Sequence, residues 1–410
     1  MSLSDRLAPP SLGSAFRWIW ASNAASNLGD GIVLAASPLL VASLTRSPLL
    51  VALSVFLQQV PWLLFGFVAG AYVDRVDRRR LTITVDVLRA AVLLALAGTV
   101  ASGAVSIGVL LVVAFLLGTA ETLADNAAGT LVATTVPSEG LGLANSRIFG
   151  TGIIGNQLAG PPLGAFLFAV AHAAPFAANA ACYLLAAVLV SRITLPVVAR
   201  DRVTPSLRRE VAEGLRWLWA HSPVRTLAVT ITLFNVTFGA AMAVWVLYAR
   251  ERLGLGEVGF GLLVTCSAVG GLVGSTTYRW LEQRFSLATL MRAGLVLETL
   301  THLGLVLTRS PWVAGAIMAL FGVHAVVWGT TSTTVRQRAV PERLLGRVTS
   351  VYLLGGVGGA AVGSLLGGLI GQRFGVLAPY WFGFVGSALL TAAVWRSLTH
   401  IVHAVEEGAS

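Results

Sequence analysis

Long apolar runs, each broken by a short polar or arginine-bearing stretch, follow one another along almost the whole chain. They read as twelve helices, about 16–44, 49–72, 81–101, 105–134, 146–170, 174–194, 224–248, 257–279, 286–308, 311–335, 347–371 and 377–397. A helix needs about 20 apolar residues to cross the hydrocarbon of a bilayer, and these runs meet that length. None alternates with the period of two expected of a barrel strand, and in lipid only helices or closed barrels satisfy their own backbone. Glycine and alanine are frequent within the runs, which lets neighbouring helices approach closely. The pattern predicts an all-α integral membrane bundle.

The runs also repeat. Shifting the sequence by 204 positions lays Gly70 on Gly274, Arg75 on Arg279, Arg80 on Arg284, Gly118 on Gly322, Pro137 on Pro341, Gly155 on Gly359 and Gly164 on Gly368. One fixed offset aligning loop and helix landmarks predicts two parallel six-helix repeats, residues 1–194 and 224–410. Repeats of this kind typically frame a site near the bilayer midplane. Between them, 195–223 reads as a linker. Its Leu207, Val211, Leu215 and Leu218 share one helical face, which suits a helix lying in the inner membrane interface.

Composition narrows the chemistry. Of the 410 residues, 56% are hydrophobic and 11% charged, against roughly 45–50% and 25% in soluble domains. All 28 basic residues are arginine, so a P-loop and every form of lysine catalysis are excluded. No Ser/His/Asp set or metal-ligand spacing stands out, and an enzyme is not expected. Cys182 and Cys266 each lie inside an apolar run and read as small hydrophobes. Residues 1–15 lack the parts of a signal peptide, leaving the first helix as the insertion signal. With the N-terminus inside, 22 of the 28 arginines fall on the inner side and 5 on the outer, while Arg89 lies within a helix. That excess predicts both termini in the cytoplasm and a cytoplasmic-membrane location. The positive charge is thus topological rather than a nucleic-acid signal.

Gly70 to Arg80, G-A-Y-V-D-R-V-D-R-R-R, resembles the loop between helices two and three of the major facilitator superfamily, G-x-x-x-D-R-x-G-R-R/K-R/K. Gly70, Asp74, Arg75, Arg78, Arg79 and Arg80 match, and Asp77 replaces the glycine. The second copy keeps Gly274, Arg279 and Arg284. Further segments resemble the enterobactin-exporter and macrolide-efflux branch: S-N-L-G-D-G (26–31), D-V-L-R-A (86–90), V-P-S-E-G-L-G-L-A-N-S (136–146), E-G-L-R-W-L-W (213–219) and V-P-E-R-L-L-G-R-V (340–348). The chain departs from the drug-antiporter pattern in helix four, where Glu121 and Asp125 replace R-x-x-x-Q-G. In helix five only Gly160, Pro161 and Gly164 of the antiporter glycine pattern remain. The resemblance implies a secondary transporter that alternates access between two six-helix halves, without a cofactor and driven by the proton gradient.

Candidate site residues follow. Ionisable groups at mid-membrane cost about 2.5–3.5 kcal/mol each on insertion scales, so each is a functional candidate. Asn27 and Asp30 share a face of helix one, and Glu121 and Asp125 stand one turn apart in helix four. Two carboxylates so close in low dielectric resist double ionisation, which suits a proton carrier. The same acids could instead hold a cationic substrate or brace neighbouring helices. In the resemblance, helices one, four, seven and ten line the cavity. Helix seven offers Asn235, and helix ten offers His324 and Trp328. Asp86 and Arg89, three apart in helix three, read as an intrahelical ion pair or a brace to the loop, and Glu298 and His302, four apart in helix nine, which is peripheral in the resemblance, read as a structural pair. Asp74 is expected to cap helix three. Gly70, Asp74, Arg75, Arg78 and Arg279 are the expected conformational latch. The expected substrate is a small amphipathic molecule, the expected partners are protons and membrane lipid, and a monomer is expected. A static membrane sensor or anchor, and an importer, remain as alternatives.

Overall fold

The computed structural model describes residues 12–73, 76–193 and 207–398. Fifteen α-helices appear among them: α1 Ser14–Leu44, α2 Pro48–Val73, α3 Arg78–Ala101, α4 Ile107–Thr135, α5 Leu141–Gly152, α6 Gly160–Val170, α7 Ala174–Ser191, α8 Leu207–Ala220, α9 Ser222–Met242, α10 Trp245–Glu251, α11 Glu257–Arg284, α12 Leu287–Leu307, α13 Pro311–Ala339, α14 Glu342–Phe374 and α15 Ala378–Val394. Eleven helical stretches among the described residues are long and apolar enough to cross a membrane, and Ala378–Val394 is a shorter apolar helix.

The boundaries follow local chemistry. Ser106 and Ser286 cap α4 and α12 by accepting from Val109 N and Thr289 N. Proline opens α7, α9, α13 and α15, where its missing N–H has no intrahelical partner to lose. Asp77 caps α3, accepting from Arg80 N at 3.1 Å. Asp74, the acid expected to cap this helix, lies outside the described residues.

Two predicted helices are interrupted. The run expected at 146–170 contains a π-helical turn, Ile153–Ala159, between α5 and α6. The run expected at 224–248 breaks at Ala243 and Val244, so that α10 starts afresh. There Trp245 stacks on Tyr248 with centroids 5.3 Å apart, and Tyr248 Oη donates to Leu305 O at 2.6 Å. Apolar periodicity carries no sign of either interruption.

Two compact units emerge. The first comprises Met1–Thr45, Leu57–Asp201 and Leu255–Thr265; the second comprises Arg46–Phe56, Arg202–Gly254 and Cys266–Ser410. Glycine-mediated backbone approach recurs in both. In the first, a Cβ at Gly164 of α6 would stand 2.0 Å from Ile32 O of α1, and one at Gly118 of α4 would stand 2.2 Å from Gln58 O of α2. In the second, Gly359, Gly363 and Gly367 of α14 face the carbonyls of Thr232, Val236 and Ala240 of α9, at 2.3, 2.3 and 2.1 Å by the same measure. Each glycine admits a neighbouring backbone that any side chain would push away.

Within the second unit α8 docks on the start of α14. A Cβ at Gly214 would meet Arg347 C and O at 2.9 Å, Leu218 is buried, and Arg347 Nη1 donates to Glu213 Oε2 at 2.5 Å. The expected single apolar face is therefore split. Leu218 turns into the bundle, whereas Leu215 and Trp219 are exposed on the other side; the side chain of Leu207 lies outside the described residues.

Candidate functional site

Near the midpoints of α1, α3, α4 and α7 the first unit gathers its charges. Arg89 of α3 is buried, at 4% exposure, and its Nη2 donates to Asp30 Oδ1 of α1 at 3.2 Å. Tyr183 Oη of α7 donates to the same oxygen. The Arg89 guanidinium lies over the Tyr183 ring, 4.1 Å from its centroid, in cation–π contact. Asp30 thus receives an arginine and a phenol that also support each other.

Around this knot stand three more carboxylates. Asp86 is buried one turn before Arg89. Glu121 of α4 is half-buried, beside Gln58 of α2, and within the fields of Asp30, Arg89 and Asp125. Asp125 is exposed, in the field of Arg89 and Asp30. The cluster holds four acids against one arginine. It can exchange protons or accept a cation, because four ionised carboxylates this close cannot be balanced by a single guanidinium.

This arrangement corrects the sequence in one respect and extends it in another. Arg89 bonds across to Asp30 rather than within its own helix to Asp86. Glu121 and Asp125, whose own span has no arginine, have one supplied by α3. Tyr183 and Gln58 escaped the sequence reading. Arg89 carried the available signal, as an arginine placed near the middle of an expected span rather than near its end.

Asn27 Nδ2 donates to Asn23 O of its own helix at 2.9 Å. Close by, a Cβ at Gly31 would lie 2.5 Å from Asn156 O, so the π-helical turn rests directly on α1 beside Asp30. Single π turns of this kind often mark functional positions.

In the second unit, Asn235 Nδ2 donates to Ile231 O at 2.8 Å. Trp328 is buried among Phe234, Met291, Leu295 and Tyr352, and its Nε1 has no partner among the described residues. His324 is not alone: its Nε2 meets Glu298 Oε2 of α12 at 3.2 Å. Glu298 therefore pairs across helices rather than with His302. The His302 ring is fully buried near Phe238, with centroids 6.4 Å apart.

Of the expected latch, Asp74 and Arg75 lie outside the described residues. Gly70 is in α2, Arg78 is half-buried in the first turn of α3, and Arg279 is exposed on α11. Arg79 does more than mark topology. Its Nε donates to Val190 O at 3.4 Å and its Nη2 to Ser191 O, satisfying free carbonyls at the C-terminus of α7.

Residues 5–409 match the family of transmembrane secretion effectors. Among curated relatives, the multidrug efflux pump Tap of Mycolicibacterium fortuitum is 27% identical over 373 residues, 86% of this chain and 88% of that one. Macrolide efflux protein A of Streptococcus pyogenes is 25% identical over 390 residues, 92% and 94% of the two chains. The enterobactin exporter EntS of Salmonella typhimurium is 27% identical over 377 residues, 87% and 85%. The fold is that of a solved bacterial homologue of the iron transporter ferroportin in its inward-facing state, with a TM-score of 0.73 at 17% identity over 94% of this chain and 98% of the other. The resemblance in the loop and helix motifs thus extends over the length of the chain, which is a multi-pass membrane protein belonging to the transmembrane secretion effector family of major facilitator transporters.

Proposed function

We propose that this chain is a proton-coupled exporter of small amphipathic molecules (drug, macrolide or siderophore-like) in the cytoplasmic membrane. In this reading twelve helices form two six-helix halves that alternate access, with both termini cytoplasmic. The efflux and export named for the relatives supports the direction. The observation that carries the coupling is the mid-span knot of Arg89, Asp30 and Tyr183 with Glu121 and Asp125 beside it.

A proton arriving on Asp30 or Glu121 neutralises an acid that Arg89 would otherwise hold, and so alters which helices the guanidinium ties together. Export then follows from loading the cluster on one side and unloading it on the other. Asp74, Arg75, Arg78 and Arg279 act as the latch at the helix ends, as the superfamily motif implies. No cofactor enters the scheme, and the chain works as a monomer with lipid around it.

The test uses purified Glu121→Gln and Asp125→Asn in proteoliposomes. Each imitates the permanently protonated acid. Gradient-driven export of a substrate found by a drug-susceptibility panel should fail in at least one variant while downhill counterflow persists. Full driven export by both would remove these acids from the coupling.

A further inference from the structure

The second unit holds an ionisable pair that this scheme does not use. Glu298 lies near the midpoint of α12 and His324 near that of α13, their side chains only 11% and 5% exposed. The seat of the imidazole is cut to shape: a Cβ at Gly294 of α12 would stand 2.6 Å from His324 Nδ1 and Cε1. Phe321 and Trp328 set their rings edgewise to it, with centroids at 5.9 and 6.1 Å. An amide pair would bridge the same two helices without the insertion cost of ionisable groups. A glutamate and a histidine here call for a reason beyond packing.

We propose that Glu298 and His324 form a second proton-binding site, which takes up and releases one proton per transport cycle. The inference rests on the exporter reading for its role in the cycle, but not for its chemistry. With one proton the pair is neutral overall, as carboxylic acid beside imidazole or carboxylate beside imidazolium, and passing the proton along the 3.2 Å contact changes no net charge. Losing that proton leaves one bare carboxylate beside a neutral imidazole, and the next proton to arrive restores the neutral pair.

The surroundings leave the pair to itself. On α12, His302 stands one turn beyond Glu298, its two ring nitrogens without partners among the described residues, and Arg292 donates to Trp395 O at 2.8 Å. On α13, Arg336 is three turns away, donating to Ser332 and Thr333 and lying over the Tyr352 ring of α14. From α15, Tyr380 faces Tyr248 of α10; Phe238 of α9 stacks on Phe321 and lies near His302, and Cys266 of α11 lies beside Gly315, more than two turns before His324. Among the described residues no second acid or cation bonds to the pair.

Infrared difference spectra of the purified protein in lipid nanodiscs, taken between acid and alkaline pH, provide the direct test. A carboxylic-acid C=O band should vanish in Glu298→Gln and change frequency in His324→Gln, where the acid loses its imidazole. In proteoliposomes, Glu298→Gln should lose gradient-driven export while keeping counterflow, and Glu298→Asp should restore it with a displaced pH midpoint. An unchanged infrared band in both variants, or a wild-type pH profile of export in Glu298→Gln, overturns the proposal. Should Glu298→Gln aggregate, the band shift in His324→Gln decides alone. Failure of the wild type to export under any proton gradient would instead overturn the exporter reading, and the infrared titration would still decide whether the pair binds a proton.

Discussion

Replacing Arg89 by methionine keeps a long side chain but removes the only guanidinium that the described residues place among the four acids. Asp30 is then left with the Tyr183 hydroxyl alone, beside Asp86, Glu121 and Asp125. Removing one partner of a buried ion pair costs about 3–5 kcal/mol. Asp30 retains 22% side-chain exposure against 4% for Arg89, and the water this admits places the expected loss at about 3 kcal/mol. Asp30→Asn should cost less, because Arg89 stays within the fields of Glu121 and Asp86. The double variant Arg89→Met/Asp30→Asn should regain most of the loss, since a neutral pair of similar volume replaces the buried ions. Reversible unfolding of the purified protein in mixed detergent micelles, followed by circular dichroism, closes the double-mutant cycle. A coupling below about 0.5 kcal/mol, the level at which separate sites simply add, would refute the pairing.

Gly363→Ala should cut the yield of folded protein, because its Cβ would lie 2.3 Å from Val236 O, whereas Gly329→Ala, which meets nothing within 4 Å, should leave it intact; size-exclusion profiles compare them. His221, at the corner before α9, stacks on Trp217, and burial lowers its pKa below the ordinary imidazole value. The unfolded chain therefore protonates first as the pH falls, so the stabilising effect of the neutral ring is present above that ordinary value and lost toward acid. Unfolding measured against pH should flatten at its acid end in His221→Gln. Glu213→Gln breaks a pair whose side chains are 40% and 34% exposed, and melting curves should show a cost under about 1 kcal/mol that shrinks further in salt.

Helix positions were legible because each span needs an unbroken apolar run, and that constraint is written residue by residue. The interruptions at Ile153–Ala159 and at Ala243–Val244 were not. Both depend on what neighbouring helices offer the backbone, and a lipid-compatible sequence looks the same through them. The acids of the candidate site were legible for the same reason that polar groups stand out against an apolar background. Their partners were not. Asp86 and Arg89 are three apart on one helix, as are many bonded pairs, yet Arg89 turns to Asp30, 59 positions earlier. Glu298 likewise passes over His302 for His324. Spacing along one helix says which side chains share a face, and only packing says which helix that face meets.

The row of glycines on α14 has a consequence for register. Gly355, Gly359, Gly363 and Gly367 follow one another every four residues, and so do Thr232, Val236 and Ala240 on α9. Sliding α14 by one helical turn, about 5.4 Å, would bring Gly355, Gly359 and Gly363 to the same three carbonyls now met by the last three glycines. The seam is degenerate: like a rack with evenly cut teeth, it fits in more than one position. Its setting must be fixed at the two ends of α14, where Arg347 lies on Gly214 of α8, and where Gly368 and Gly371 sit against Ala52 and Pro48 of α2.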